Sequence, residues 1–311
     1  MLRQRVPTAL CLISIVAALV WLDATFSPDG GEGLFLLPLL LFIALGTTWD
    51  FTGLLIGSGR DVARKTVMVA TAMVSLSAAV PMLWAFAEQP YPADCPVGRL
   101  GWIALTVVGG AFLVLLTEMA RYGKGPSGAI ERSSLGVLVM VYVGVPMALW
   151  VALRTMSADR WGLVAMAVAI AVTKASDTGA YFTGKAIGRN KLIPRLSPGK
   201  TREGAVGGIV ASTIVAWICL RFVMPNHPTH AASIAMLADP IVAALVLGPT
   251  LAIAGMIGDL AESMVKRDCG AKDSGTLLPG MGGVWDVSDS LIAAAAPAFL
   301  AFASGVGHGA G

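Results

Sequence analysis

Asp259, Glu262 and Lys266 recur at i, i+3 and i+7, so one helical face carries all three. Asp286 and Asp289 share a face on the first turn of a later helix, and the turn Gly280-Met281-Gly282-Gly283 between the two segments lets their ends converge. Carboxylates with neither histidine nor thiol beside them suit a hard cation such as Mg2+. With Lys266, Lys272 and Asp273 alongside, the pattern suits a metal-bound polyphosphate.

A second polar segment runs from Lys191 through Pro194, Arg195, Ser197, Pro198, Gly199, Lys200, Thr201, Arg202 and Glu203 to Gly204, where an apolar run begins. Small residues, basic side chains and the exposed N–H groups of a helix N-terminus together make an anion cradle. Gly199-Lys200-Thr201 looks like the end of a P-loop, but the glycine needed five positions earlier is Pro194, and no strand is expected before it. A third group, Lys174, Asp177 and Tyr181, again falls on one helical face, inside an apolar segment. Lys174 and Asp177 can pair, which lowers the cost of either in a membrane; a structural pair and a polar cavity wall are both open readings.

The elements that carry these residues are set by composition. Of 311 residues, 56% are hydrophobic and 13% charged, with a mean hydropathy of +0.76. Soluble domains carry about a quarter charged residues, so the chain reads as an all-α polytopic membrane bundle. A net charge of +3 without a basic tail argues against a nucleic-acid partner. A crossing takes about 20 apolar residues. Nine segments qualify, at roughly 8–22, 34–57, 66–87, 100–120, 135–153, 161–187, 205–224, 240–260 and 284–303. With the N-terminus in the cytoplasm and the C-terminus outside, 17 Lys and Arg fall in inside segments, Lys124 among them, and three, Arg99, Arg154 and Arg160, fall outside. Asp50, beside Trp49, and Glu118 read as ordinary boundary residues at inner span ends.

Arg3 and Arg5 before a short apolar run imitate a secretory signal, but no small-x-small cleavage site follows, and the charge alternation keeps the first span. Cys11, Cys95, Cys219 and Cys269 have spacings that suit neither zinc nor a disulfide framework. No internal repeat is visible, which weakens a transporter of two similar halves. The chain divides into N-terminal spans (1–160), a C-terminal catalytic region (161–303) with cytoplasmic loops 188–204 and 261–283, and a flexible glycine-rich tail (304–311). All three polar groups then lie on or near the cytoplasmic side. One inward-facing site with an anion cradle, a magnesium site and an apolar surround favours phosphoryl or nucleotidyl transfer between a soluble nucleotide and a lipid.

At these residues the chain resembles phosphatidate cytidylyltransferase, the CDP-diacylglycerol synthase family. Ser263, Lys266, Arg267, Lys272, Asp273, Gly275, Leu278, Pro279, Gly282, Gly283, Val284, Asp286 and Asp289 fit its C-terminal signature in order and spacing. The loop from Ser197 to Gly204 and the segment Asp177–Tyr181 are also similar to that family. The similarity covers about 170–303. Three positions depart: Met281 stands for a histidine, Val287 for an arginine, and Ser288 for an apolar residue or threonine. The first argues against an obligatory imidazole base and the second removes one phosphate contact, while carboxylates and lysines are intact, so catalysis is expected.

The resemblance implies CTP and phosphatidic acid as substrates, Mg2+ with room for a second cation, and a bacterial cytoplasmic membrane. Asp259 and Asp286 are expected to hold the metal. Lys266, Lys272 and Lys200 would neutralise phosphates, Ser197, Thr201, Glu203 and Gly204 would form the nucleotide loop, and Asp177 and Asp273 would orient ligands or take the second cation. Both a monomer and a homodimer fit the sequence. A CTP-dependent polyprenol kinase, or a cytidylyltransferase for another lipid phosphate, is the competing enzyme. A transporter or membrane scaffold is disfavoured, because the ionisable groups lie mostly in loops and at helix ends.

Overall fold

The structure, a computed structural model, describes residues 2–123, 128–157, 159–225 and 233–307; Lys124, the side chains of Arg3 and Arg5, and the last four residues of the tail lie outside them. Among the described residues, eight helices of 19 to 29 residues are long and apolar enough to cross a membrane. They lie within α1 (Leu2–Phe26), α2 (Leu37–Gly57, with the 3-10 turn Leu34–Leu36 before it), α5 (Gly98–Arg121), α6 (Ala129–Arg154), α7 (Trp161–Ile187), α8 (Arg202–Phe222), α9 (Pro240–Asp268) and α10 (Trp285–Ala303).

The ninth expected crossing, 66–87, is not one helix. It is α3 (Arg64–Ser77), a turn, and α4 (Met82–Phe86). Pro81 at the α4 boundary has no N–H to give, and it disfavours helical backbone at the residue before it. Hydropathy is insensitive to such a break.

The chain forms two compact units. One contains residues 1–155 and 265–288, the other 156–264 and 289–311. In the first, α3, α5 and α6 pack around Ala70, Val74 and Met140, and α2 packs against α3 and α6. Glycines bring the helices together: a Cβ on Gly144 would meet Val74, and one on Gly136 would meet Val114 and Val67. Small residues at crossings are what permit close packing where lipid removes the hydrophobic drive.

Ion pairs mark the two ends of this unit. At one end Glu118 accepts from Arg132 Nε (2.6 Å) and Arg121 Nη1 (2.7 Å), and Arg121 also pairs with Asp61. Glu118 is therefore the hub of an arginine cluster, which is more than a boundary residue. At the other end Arg154 Nε meets Asp23 at 2.7 Å with both side chains closed to solvent, and Arg99 donates to the carbonyl of Thr155. The start of α3 thus lies at the Glu118 end and the start of α5 at the Arg154 end. The broken α3–α4 segment runs the length of the unit between them.

In the second unit α7 and α8 form a close pair. A Cβ on Gly179 would strike Ala211 and the carbonyl of Gly207, one on Gly207 would strike Thr183, and one on Gly208 would strike Ser176. Between these helices the chain makes an antiparallel hairpin, β1 (Lys191–Ile193) and β2 (Ser197–Thr201), with Lys191 opposite Thr201 and Ile193 opposite Ser197. β1, the strand before Pro194, departs from the sequence expectation. Pro194 explains it: its fixed φ suits the second position of the turn closed by Leu196 N–H to the Ile193 carbonyl at 3.2 Å. The four cysteines are unpaired.

Candidate active site

Thr201 caps α8. Its backbone is extended, and its hydroxyl accepts from Gly204 N–H at 3.1 Å. Of the N–H groups that follow, that of Arg202 donates to the carbonyl of Asn190 at 2.8 Å, so this helix start favours negative charge through its dipole. Glu203 turns back from this first turn to accept from the backbone N–H of Arg189 (3.1 Å) and Asn190 (3.2 Å) and from Asn190 Nδ2 (2.6 Å). It ties the hairpin to the helix. If the loop it holds binds the nucleotide that the resemblance implies, Glu203→Ala is expected to raise the KM for it about 3- to 10-fold with kcat little changed, because positioning common to ground and transition states is lost. Steady-state kinetics on the detergent-purified protein measures this.

The hairpin and α8 start border a cavity of about 510 Å³. Asp177, Tyr181 and Lys185 of α7, Ser197, Lys200 and Thr201 of β2, Gly204 of α8 and Asp259 of α9 line it. Lys200 Nζ is 2.6 Å from Asp259 Oδ2. Lys174 Nζ lies 3.6 Å from Asp177 Oδ2 and donates to Ser290 Oγ at 2.8 Å. Lys174 thereby links α7 to α10.

Asp259 belongs to a second grouping. One oxygen each of Asp259, Glu262 and Asp289 lie within 4.8 Å of one another. Glu262 is 2% and Asp289 7% exposed. Helix α9 and the start of this part of α10 can approach so closely because residue 258 is glycine; a Cβ there would meet the carbonyl of Asp289 and the side chain of Ala293. Three carboxylates this close, two of them buried, repel one another and lose hydration unless positive charge is present. Lys200 supplies some. The all-oxygen donor set fits a hard divalent cation as well.

The other signature residues form a separate knot in the first unit. Asp286 accepts from Lys266 Nζ (2.8 Å), the N–H and hydroxyl of Ser274 (2.9 and 2.8 Å) and Gly283 N–H (2.7 Å). Lys272 and Asp273 are exposed on the same loop. The turn that follows is closed by Leu278 and Gly282, with Gly280 and Gly282 at φ 77 and 101.

The structure thus brings Asp177, Ser197, Lys200, Thr201, Gly204 and Asp259 around one cavity, with Glu203 behind it. Around Asp259 it gathers Glu262 and Asp289, whereas Asp286 takes Lys266, Ser274 and Gly283 as partners. Glu262 and Asp289 were both legible as face-sharing acids, but spacing alone gave no reason to prefer Asp289 over Asp286, which shares its helix face. Asp50, read as a boundary residue, is 3% exposed and accepts from Trp285 N–H at 3.1 Å. Nothing local in the sequence points to that partner 235 residues away.

A helical membrane protein with a lysine-bearing cavity at a capped helix start and a carboxylate triad has the equipment of a nucleotidyltransferase. The chain belongs to the cytidylyltransferase family, whose model matches residues 3–304. It is 33% identical to the phosphatidate cytidylyltransferase of Pseudomonas aeruginosa over 313 residues, all of both chains. It is 37% identical to that of Bacillus subtilis over 155 residues, half of this chain and 52% of the other. An uncharacterized protein of Escherichia coli, YnbB, is 35% identical over 193 residues, 61% of this chain and 60% of its own. The chain thus spans about half to three-fifths of the last two and the whole of the first.

Proposed function

We propose that this protein joins CTP to phosphatidate, giving CDP-diacylglycerol and pyrophosphate. The observation that carries the reading is the cavity in which Lys200, the capped start of α8 and Asp259 meet. The relatives named for this activity support it.

The lipid phosphate is already an anion, so its oxygen attacks the α-phosphorus of CTP without a base. The bond from that phosphorus to the bridging oxygen of the β-phosphate breaks, and pyrophosphate leaves. The absence of histidine at position 281 is compatible with this chemistry. The difficulty is bringing two anions together, and positioning with charge neutralisation supplies most of the catalysis. Lys200 neutralises phosphate oxygens and holds Asp259 in place. The positive end of α8 and the hydroxyl of Ser197 orient the triphosphate. Asp177 fixes Lys174, and Lys185 adds positive charge at the rim. Within the first unit Lys266 and Lys272, beside Asp273, carry charge suited to phosphate, with Asp286 holding Lys266.

Asp259, Glu262 and Asp289 would bind Mg2+, which when present polarises phosphoryl oxygens. Asp286, which sequence spacing also offered as a ligand, is read instead as a positioning residue, because four donors occupy its carboxylate. Exposed apolar side chains of α8, among them Val206, Val210 and Ile214, offer a surface along which acyl chains would approach.

We place the N-terminus and the hairpin in the cytoplasm and the C-terminus outside, with nine crossings and the α3–α4 segment as the third. The 17 to 3 distribution of basic residues supports this. A phosphatase fused after residue 311 is expected to be active and one fused after residue 60 inactive; the opposite pattern contradicts the orientation. The activity is tested by pyrophosphate release from CTP and Mg2+. Release that requires phosphatidate is expected. Release of CDP instead, with phosphorylation of an added polyprenol, would favour the kinase.

A further inference from the structure

We propose that Asp50, on α2, is a positioning residue for nucleotidyl transfer: it holds the 274–285 turn in the form that presents Lys266, Lys272 and Asp273 to phosphate. The proposal rests on the function above. Three side chains on one face of α2, at i, i+3 and i+4, grip the start of α10. Thr47 Oγ1 and Ser288 Oγ are 2.9 Å apart. Asp50 Oδ2 accepts from Trp285 N–H at 3.1 Å. The Phe51 ring stacks on the Trp285 indole, with centroids 4.2 Å apart and planes inclined by 24°.

Asp50 does more than cap α10. Its carboxylate fills the space that a side chain would need at two places on the turn. A Cβ on Gly275 would strike Asp50 Oδ1, and one on Gly283 would strike Asp50 Oδ2 and Ser274 Oγ. Of the two glycines that admit Asp50, Gly275 adjoins Ser274, a donor to Asp286, and Gly283 is itself the other donor. One carboxylate therefore sits against the turn from α2 while the other binds it from α10, and Lys266 is bonded to the second. A carboxylate 3% exposed in a membrane helix is expensive, and a role of packing alone would be served better by leucine. Misplacing the turn by about 1 Å is enough to cost about 10²-fold in rate.

Asp50→Ala and Asp50→Asn are compared with the parent chain in the CTP–phosphatidate assay, together with the dissociation constant for Mg·CTP and trypsin cleavage at Lys272. Asn keeps a carbonyl oxygen for Trp285 N–H. Asp50→Ala is expected to lower kcat about 10²-fold, to leave Mg·CTP affinity within about twofold, and to speed cleavage at Lys272; Asp50→Asn is expected to recover about tenfold of the loss. If Asp50→Ala does not fold, Gly283→Ala, which displaces the same carboxylate, is expected to show the same split. Unchanged kcat in a folded variant overturns the proposal. So does an equal loss of kcat and nucleotide binding, which would mean a role in folding alone. An inactive parent would overturn the functional reading instead.

Discussion

Asp259→Asn is expected to lower kcat by about 10³-fold or more while the protein keeps its helicity and elution volume. Asp259 is where the two halves of the site join. Its Oδ2 meets Lys200 Nζ at 2.6 Å, and its carboxylate also completes the group with Glu262 and Asp289. Asparagine has the same size and keeps one oxygen, so packing against Gly258 and α10 survives. What is lost is the negative charge that holds Lys200 and that, in the proposed role, would hold a cation. Asp289→Asn should differ in kind. It leaves the Lys200 pair intact, so its main effect should be a rise in the Mg2+ concentration needed for half-maximal rate, by about tenfold or more. A metal titration of each variant separates the two. Full activity in both variants would refute the metal assignment.

Lys200→Ala is expected to reduce kcat/KM for CTP by about 10²- to 10³-fold, the usual cost of removing one charged donor from a phosphoryl-transfer site. Lys200→Arg should recover only part, because a guanidinium presents a wider planar fork than the compact ammonium that fits between the hairpin and α9. Since Lys200 and Asp259 are in contact, their effects should not add. In the double variant the combined loss should fall short of the product of the single losses by about tenfold. Product of the two losses within error would mean the pair acts independently.

The helices were legible because runs of about twenty apolar residues have few other uses. The break between α3 and α4 was not, since Pro81 interrupts a run whose hydropathy stays high. The hairpin escaped because Ser197-Pro-Gly-Lys-Thr201 has no alternation of apolar residues to announce a strand; a turn at Pro194 and the reach of Glu203 to Asn190 make it. The cavity residues were largely visible, since Lys200, Thr201 and Gly204 form a cradle through their place at a helix start. The partner of Asp259 was ambiguous. Asp286 and Asp289 lie one turn apart on the same face, and only the way α10 lies against Gly258 decides which one joins Asp259 and Glu262. Asp50 could not have been found locally, as its hydrogen bond closes a loop of 235 residues.

The transfer of the α-phosphate to lipid is tested most directly by two parallel reactions of purified protein with phosphatidate and Mg2+, one with CTP labelled at the α-phosphorus and one with CTP labelled at the γ-phosphorus. The account predicts that the first label enters the chloroform-soluble lipid and the second remains in water as pyrophosphate. Lipid carrying the γ label, or no lipid labelled by either nucleotide, would contradict it.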